Sequence, residues 1–152
     1  GEIGWSPELL EAVVAKLSAL GQVIIVSEMT LPEQFDQHLY RGPVADIHHV
    51  MAHLRLFIGE SATMASECAV LGVPAIYAAH TGRGYTDEQE SRYGLVKNID
   101  RLDQGSVHAA IDAMLALSVE QYQQARENML SESIDVCDMV VDSALEYGES
   151  AG

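Results

Sequence analysis

The sequence predicts an α/β fold, a doubly wound parallel sheet with a helical C-terminus. Short continuous apolar runs, such as residues 56–59 and 74–78, are separated by segments with helical periodicity. These runs do not alternate with polar residues, which is typical of strands buried on both faces of a parallel sheet. Strands and helices are therefore expected to alternate along the chain.

Cap and stop residues set the bounds of the predicted elements. Ser6 is a capping residue with Pro7 in the following turn, and Ser118 begins a later helix in the same way. Gly21 and Gly72 are placed to end helices. The predicted elements, in order, are helix 6–20, strand 22–27, helix 46–54, strand 56–59, helix 61–71, strand 74–78, a glycine-rich loop over 80–90, strand 95–99 and helices 106–117, 118–132 and 135–146.

The length of 152 residues fits one domain. We expect residues 1–147 to form that domain and residues 148–152 to be a frayed, disordered tail. A doubly wound sheet normally opens on a strand, whereas this sequence goes straight into a helix. The expectation is that the first strand and an N-terminal partner domain are missing from this stretch of chain.

The composition of the chain bears on its expected partners and location. The formal net charge is -15, with only eight Lys and Arg, so nucleic acid and anionic membrane surfaces are not expected partners. No apolar run approaches the roughly 18 residues of a spanning helix, and no signal peptide opens the chain. Cys68 and Cys137 are interpreted as small buried hydrophobes rather than a disulfide. Together these features predict a cytoplasmic location.

The turn at Ser61 is the main candidate for a binding site. Open α/β sheets bind ligands where their strands end, and strand 56–59 runs directly into this turn. The free N–H groups of Ala62, Thr63 and Met64 would point at one spot, with the positive end of the helix dipole behind them. Small side chains there would let a phosphate reach the backbone. The alternative is an ordinary capped helix without a ligand.

Glu67 is the second candidate, because it lies one helical turn after Thr63 on the same side of the helix. A carboxylate among alanines needs a partner or solvent. The two hydroxyls of a ribose would offer two donors to it. A salt bridge or simple exposure is the alternative explanation.

Several blocks of the sequence resemble known families. The block GESATMASECAVLGVPAIY resembles the nucleotide-sugar signature in the second domain of GT-B enzymes, such as the lipid II-forming N-acetylglucosaminyltransferases and the UDP-N-acetylglucosamine 2-epimerases. With IVSEMTLPEQ, DIHHVMAHLRLFIGESATMASECAVLGVPAIY and YGLVKN, it more closely resembles the epimerase-like DUF354 family. The resemblance covers about residues 3–98 and implies a Rossmann-like domain that binds a UDP-sugar.

The resemblance also implies roles for individual residues. Relatives often carry Ser-Gly-Gly at the diphosphate, where this chain has Ser61, Ala62 and Thr63 followed by Met64. Glu67 matches the acid that accepts the ribose hydroxyls. Two further segments are implied: one that holds the uracil base, with Val44, Asp46 and Ile47, and a loop that touches the sugar, with Thr86, Asp87 and Gln89. Independently of the resemblance, His48 is expected to point toward the base.

The full-length protein is thus expected to be a glycosyltransferase or a sugar epimerase without a cofactor, and this chain alone is expected to be inactive. A non-catalytic nucleotide-binding module and a protein-interaction module are alternatives. Ser61 also resembles the nucleophile of a hydrolase, with His80 or His108 as base, but Thr63 replaces the second glycine of that motif. His49 and His53 have metal-ligand spacing without a convincing third ligand, so no metal is predicted.

Overall fold

The computed structural model of the chain describes residues 4–134, 137, 139–141 and 143–145. Three parallel strands form its sheet, in the order β1 (Phe57–Gly59), β2 (Ala75–Ala78) and β3 (Val96–Ile99). Helices and turns connect the strands, so the predicted α/β fold with a parallel sheet is confirmed. The sheet is smaller than the doubly wound sheet predicted from the sequence.

Six α-helices accompany the sheet between residues 7 and 132. Three further helical segments are of other types: 3-10 helices at Glu33–His38 and Val44–Asp46, and a π-helix at Gln89–Tyr93. The α-helices are α1 (Pro7–Ser18), α2 (Ile47–Met51), α3 (Ala62–Leu71), α4 (Gly84–Glu88), α5 (Gln104–Leu115) and α6 (Val119–Glu132).

The predicted cap residues fix the helix ends. The Ser6 side chain accepts the N–H of Leu9 at the start of α1. Ser118 and Gln121 form a reciprocal capping box at the start of α6. Gly72 follows α3 with φ of 86°, a left-handed conformation that glycine adopts without a steric penalty. These three predicted boundaries are confirmed.

The core lies between the sheet and the helices packed on it. Helix α3 contacts β1 and β2, α5 contacts β2 and β3, and α1 packs on α5. The buried side of α3 consists of small side chains, which lets that helix lie close to the strands. Its buried residues are Ala62, Ala65, Cys68 and Ala69, whereas α5 buries the larger Val107, Ala110, Ile111 and Met114.

A buried tyrosine ties the amino ends of two strands together. The Tyr122 hydroxyl, on α6, lies 2.7 Å from the carbonyl oxygen of Val73 and 2.9 Å from that of Leu95. Val73 precedes β2 and Leu95 precedes β3. Burial raises the pKa of Tyr122 above its ordinary value, so the phenol stays protonated and its single hydrogen is shared between the two carbonyl oxygens.

The prediction of a strand over residues 22–27 is wrong. Only Ile25 pairs, in an isolated parallel bridge with Leu39. Its neighbours Ile24 and Val26 are 40% and 53% exposed. Apolar residues alone do not make a strand, because a lone pairing of two segments has little stability outside a larger sheet.

Three further predictions differ from the structure. Helix α5 begins after Asp103, not at Ser106, because the Asp103 carboxylate accepts the N–H of Ser106 at 2.9 Å. The loop expected over 80–90 is helical from Gly84 onward. Cys68 is buried as predicted, but Cys137 is exposed.

Two predictions fall on residues that are not described. The final helix over 135–146 is helical at 137, 139–141 and 143–145, and its other positions lie outside the described residues. The tail at 148–152 lies outside them as well. Among the helices of the described residues, none has the length and apolarity needed to cross a membrane.

Candidate functional site

The candidate site lies where β1 runs into α3. β1 ends at Gly59 and α3 begins at Ala62. Ser61 between them has extended backbone angles and is the N-cap of α3. Because β1–β3 are parallel, the turn at Ser61 is at the same edge of the sheet as the segments that follow Ala78 and Ile99. This is the edge at which open α/β sheets bind ligands.

The Ser61 side chain already uses one of the three N–H groups predicted to be free. Its Oγ accepts the N–H of Met64 at 3.3 Å, so that group is capped. The N–H groups of Ala62 and Thr63 remain without an acceptor inside the helix, as helix geometry requires. Ser61 and Thr63 are exposed, and Ala62 is buried. The turn thus presents two backbone donors and the helix dipole to an anion.

Glu67 lies one turn further along α3 and is paired with a histidine. His48 Nε2 is 3.2 Å from Glu67 Oε2, and the two side chains are 58% and 39% exposed. The contact joins α2 to α3 across 19 positions of sequence. It is a charged pair when the imidazole is protonated. The carboxylate therefore has both a partner and access to solvent, which explains how it is tolerated among alanines.

The segment predicted to hold the base precedes His48. Val44 and Asp46 form a 3-10 turn and are exposed, Val44 by 85%. The N–H of Asp46 bonds Pro43 O at 3.1 Å, and that of Ile47 bonds Val44 O. Ile47 is partly buried against the core. The structure brings His48 to Glu67 and leaves Val44 and Asp46 open to solvent.

The residues predicted to touch the sugar lie on α4 and the π-helix. Thr86 is fully buried, and its Oγ1 donates to Arg83 O at 2.9 Å. Gln89 is also buried, with Nε2 3.8 Å from Met129 Sδ. Asp87 is exposed and accepts from Asn98 Nδ2 at 3.3 Å. Thr86 and Gln89 thus point into the protein, and Asp87 alone of the three is exposed.

A cavity of about 390 Å³ borders Gln89 at the end of α6. Arg92, which lines this cavity, forms ion pairs with Glu88 and with Glu132. The Tyr93 hydroxyl donates to Glu132 at 2.7 Å. None of the residues predicted for the diphosphate, ribose or base lines this cavity. The turn at Ser61 is therefore distinct from this cavity.

The alternative chemistries find no support in the geometry. His80 Nδ1 contacts Asp100 O, and His108 Nε2 contacts Ala12 O, so neither of these contacts prepares Ser61 as a nucleophile. His53 Nδ1 lies 2.8 Å from the carbonyl of His49. Within the described ranges there is no group of three or more His, Cys, Asp or Glu placed to hold a metal ion.

Sequence reasoning missed two features of this region. The pairing of His48 with Glu67 was not predicted, because His48 was expected to face the base and helical periodicity does not connect different helices. The buried Oε1 of Gln89 and Oδ1 of Asn98 accept no hydrogen bond from the described residues. No local sequence signal marks either oxygen as unpaired.

Comparison with known proteins gives a likeness of fold. No protein-family model matches the chain, and no curated protein matches it. The solved structure of the glycotransferase of kitacinnamycin is similar, with a TM-score of 0.53 and 15% sequence identity. The match covers 80% of this chain and 35% of the other, so this chain spans about a third of that protein's length. The chain thus shares its fold with part of a glycosyltransferase.

Proposed function

We propose that this chain is the nucleotide-sugar-binding half of a GT-B-like glycosyltransferase or sugar epimerase, and that its ligand is a UDP-sugar. The turn at Ser61 would hold the diphosphate through the N–H groups of Ala62 and Thr63, Glu67 would hold the ribose, and the segment from Val44 to His48 would hold the base. The proposal includes a doubly wound sheet that is completed by a first strand and an N-terminal partner domain, and membership of the DUF354 family.

One observation carries the proposal. His48 of the base segment and Glu67 of the ribose site are far apart in sequence, yet their side chains are 3.2 Å apart. One nucleoside needs its base and its ribose held at neighbouring points, and Glu67 is also one turn from the N–H groups that would hold the diphosphate. The fold shared with part of a glycosyltransferase supports the same assignment.

Calorimetry with UDP, GDP, ADP and CDP tests the proposal. UDP should bind most tightly, and UDP-sugars should compete with it for the same site. The variant Glu67→Gln should bind UDP more weakly than the wild type. Its matched control is Glu127→Gln, because Glu127 is an exposed acid on α6 and outside the site. The absence of heat with all four nucleotides at millimolar concentration would overturn the proposal.

We also infer that the chain alone does not turn over a UDP-sugar. Glycosyl transfer and epimerisation require two reactants to be positioned and water to be excluded. Ser61 and Thr63 are exposed at the proposed site, and the Glu67 carboxylate contacts His48, so the proposal assigns these groups to binding rather than to proton transfer. Release of UDP from a panel of UDP-sugars should therefore be absent with this chain and present with the full-length protein.

A further inference from the structure

We propose that His48 is a positioning residue for Glu67, whose carboxylate it holds by one oxygen so that the other can accept a ribose hydroxyl. The inference rests on the proposed function and deepens it. It gives His48, at the end of the base segment, a role toward the ribose part of the site. The role follows from the contact between the two side chains and from their exposure.

The geometry leaves room for both partners of the carboxylate. His48 Nε2 contacts Oε2 of Glu67 at 3.2 Å. An ionised carboxylate has two oxygens and about four acceptor positions, so one contact to Oε2 does not saturate it. Because both side chains are exposed by more than a third, a ligand can reach the pair from solvent. His48 can therefore remain in place while the ribose binds.

The benefit to binding is pre-organisation. A glutamate side chain on a helix surface samples several rotamers, and a ligand must select one of them when it binds. His48 approaches from α2, a different element, and restricts Glu67 before the ligand arrives. Partly exposed charge pairs have small effects, so loss of His48 should weaken UDP binding by about two- to fivefold.

The effect should depend on pH, because the contact is a charged pair only when the imidazole of His48 is protonated. The other charged groups nearby are Asp46 and His49 on the same segment, both exposed. From α3, the Cys68 thiol next to Glu67 is buried, which raises its pKa to about 12, so it stays neutral throughout. Acidification should therefore strengthen the hold of His48 on Glu67.

The test measures binding of UDP and of 2′-deoxyuridine diphosphate at about pH 6 and about pH 8. His48→Ala should weaken UDP binding about two- to fivefold at the lower pH and affect the deoxynucleotide less. His48→Gln keeps an amide donor without a charge, so it should bind like the wild type at the higher pH and lack the gain at the lower pH. His49→Ala is the control, because His49 is an adjacent exposed histidine outside the pair.

The terminal phosphate of UDP also changes its protonation state in this range. This change is the same for every variant, so it cancels when the affinities of two variants are compared at one pH. Equal UDP binding by His48→Ala and the wild type at both pH values, with weakened binding by Glu67→Gln, would overturn this inference alone. An equal loss in His49→Ala would also overturn it, since the effect would then be one of general charge. Failure of the wild type to bind UDP would overturn the proposed function and this inference together.

Discussion

Glu67 and Cys68 are consecutive on α3 but lie in opposite environments. The Glu67 side chain is 39% exposed, whereas Cys68 is completely buried between the helix and the sheet. The helix thus has a packing side of small residues and a solvent side that carries one acid. A carboxylate can therefore occur in a run that otherwise resembles a buried helix.

The first prediction concerns Glu67→Gln. This change keeps the shape of the side chain but removes the charged acceptor. Hydrogen bonds to charged groups are worth about 1.5–3 kcal/mol, so UDP affinity should fall roughly tenfold or more. Stability should change little, because the pair with His48 is partly exposed. Calorimetry and a melting curve measure the two effects. A large loss of melting temperature with unchanged affinity would make Glu67 a structural residue.

The second prediction concerns Cys68 at alkaline pH. Burial, and to a lesser degree the charge of Glu67, raise the pKa of Cys68 from 9.0 to about 12. The unfolded thiol ionises first, so the folded state binds more protons between these values and its stability falls as pH rises. The contribution is complete below about pH 9 and is lost towards about pH 12. Urea unfolding across this range should show a smaller pH slope for Cys68→Ala than for the wild type.

The third prediction separates capping from anion binding at Ser61. Ser61→Ala removes the cap of α3 and should lower stability by about 0.5–2 kcal/mol. Ser61→Asp keeps an excellent cap, so it should retain stability. Its negative charge should nevertheless reduce UDP affinity about tenfold or more by repelling the diphosphate. If Ser61→Asp bound UDP as tightly as the wild type, the diphosphate could not be at this turn.

The fourth prediction concerns Tyr122→Phe. Loss of the hydroxyl leaves the buried carbonyls of Val73 and Leu95 without this donor, which should lower stability by about 1–3 kcal/mol. The control is Tyr85→Phe, because Tyr85 is 45% exposed. Urea denaturation of both variants measures the difference. Equal stability of the two variants would contradict the assigned role of Tyr122.

Local signals in the sequence predicted part of the fold correctly. The bounds of α3 follow from Ser61 as cap and Gly72 as stop, which act within a few residues. The predicted start of α5 is wrong because Asp103 and Ser106 are both residue types that cap helices. Which of the two acts as the cap depends on side-chain geometry, which the sequence does not specify. Asp103 is the cap because its carboxylate bonds both the N–H and the hydroxyl of Ser106.

Features that depend on distant parts of the chain could not be predicted in this way. Residues 22–27 have the composition of a strand, but pairing at Ile25 alone does not make one. The proximity of His48 and Glu67 arises from tertiary structure, which brings α2 next to α3 across 19 positions of sequence. The burial of Thr86 and Gln89 likewise depends on α4 and the π-helix folding back over β3.

The two ends of the sheet differ in what a substitution would disturb. At the amino ends, the Tyr122 hydroxyl bonds the carbonyl oxygens of Val73 and Leu95, so one side chain contacts the residues that precede two strands. At the carboxyl ends, Ser61 and Thr63 are exposed at a turn. Mutational tolerance should therefore be unevenly distributed. A combinatorial library at the exposed Thr63 should preserve folding yield, whereas diversity at the buried Tyr122 should reduce it.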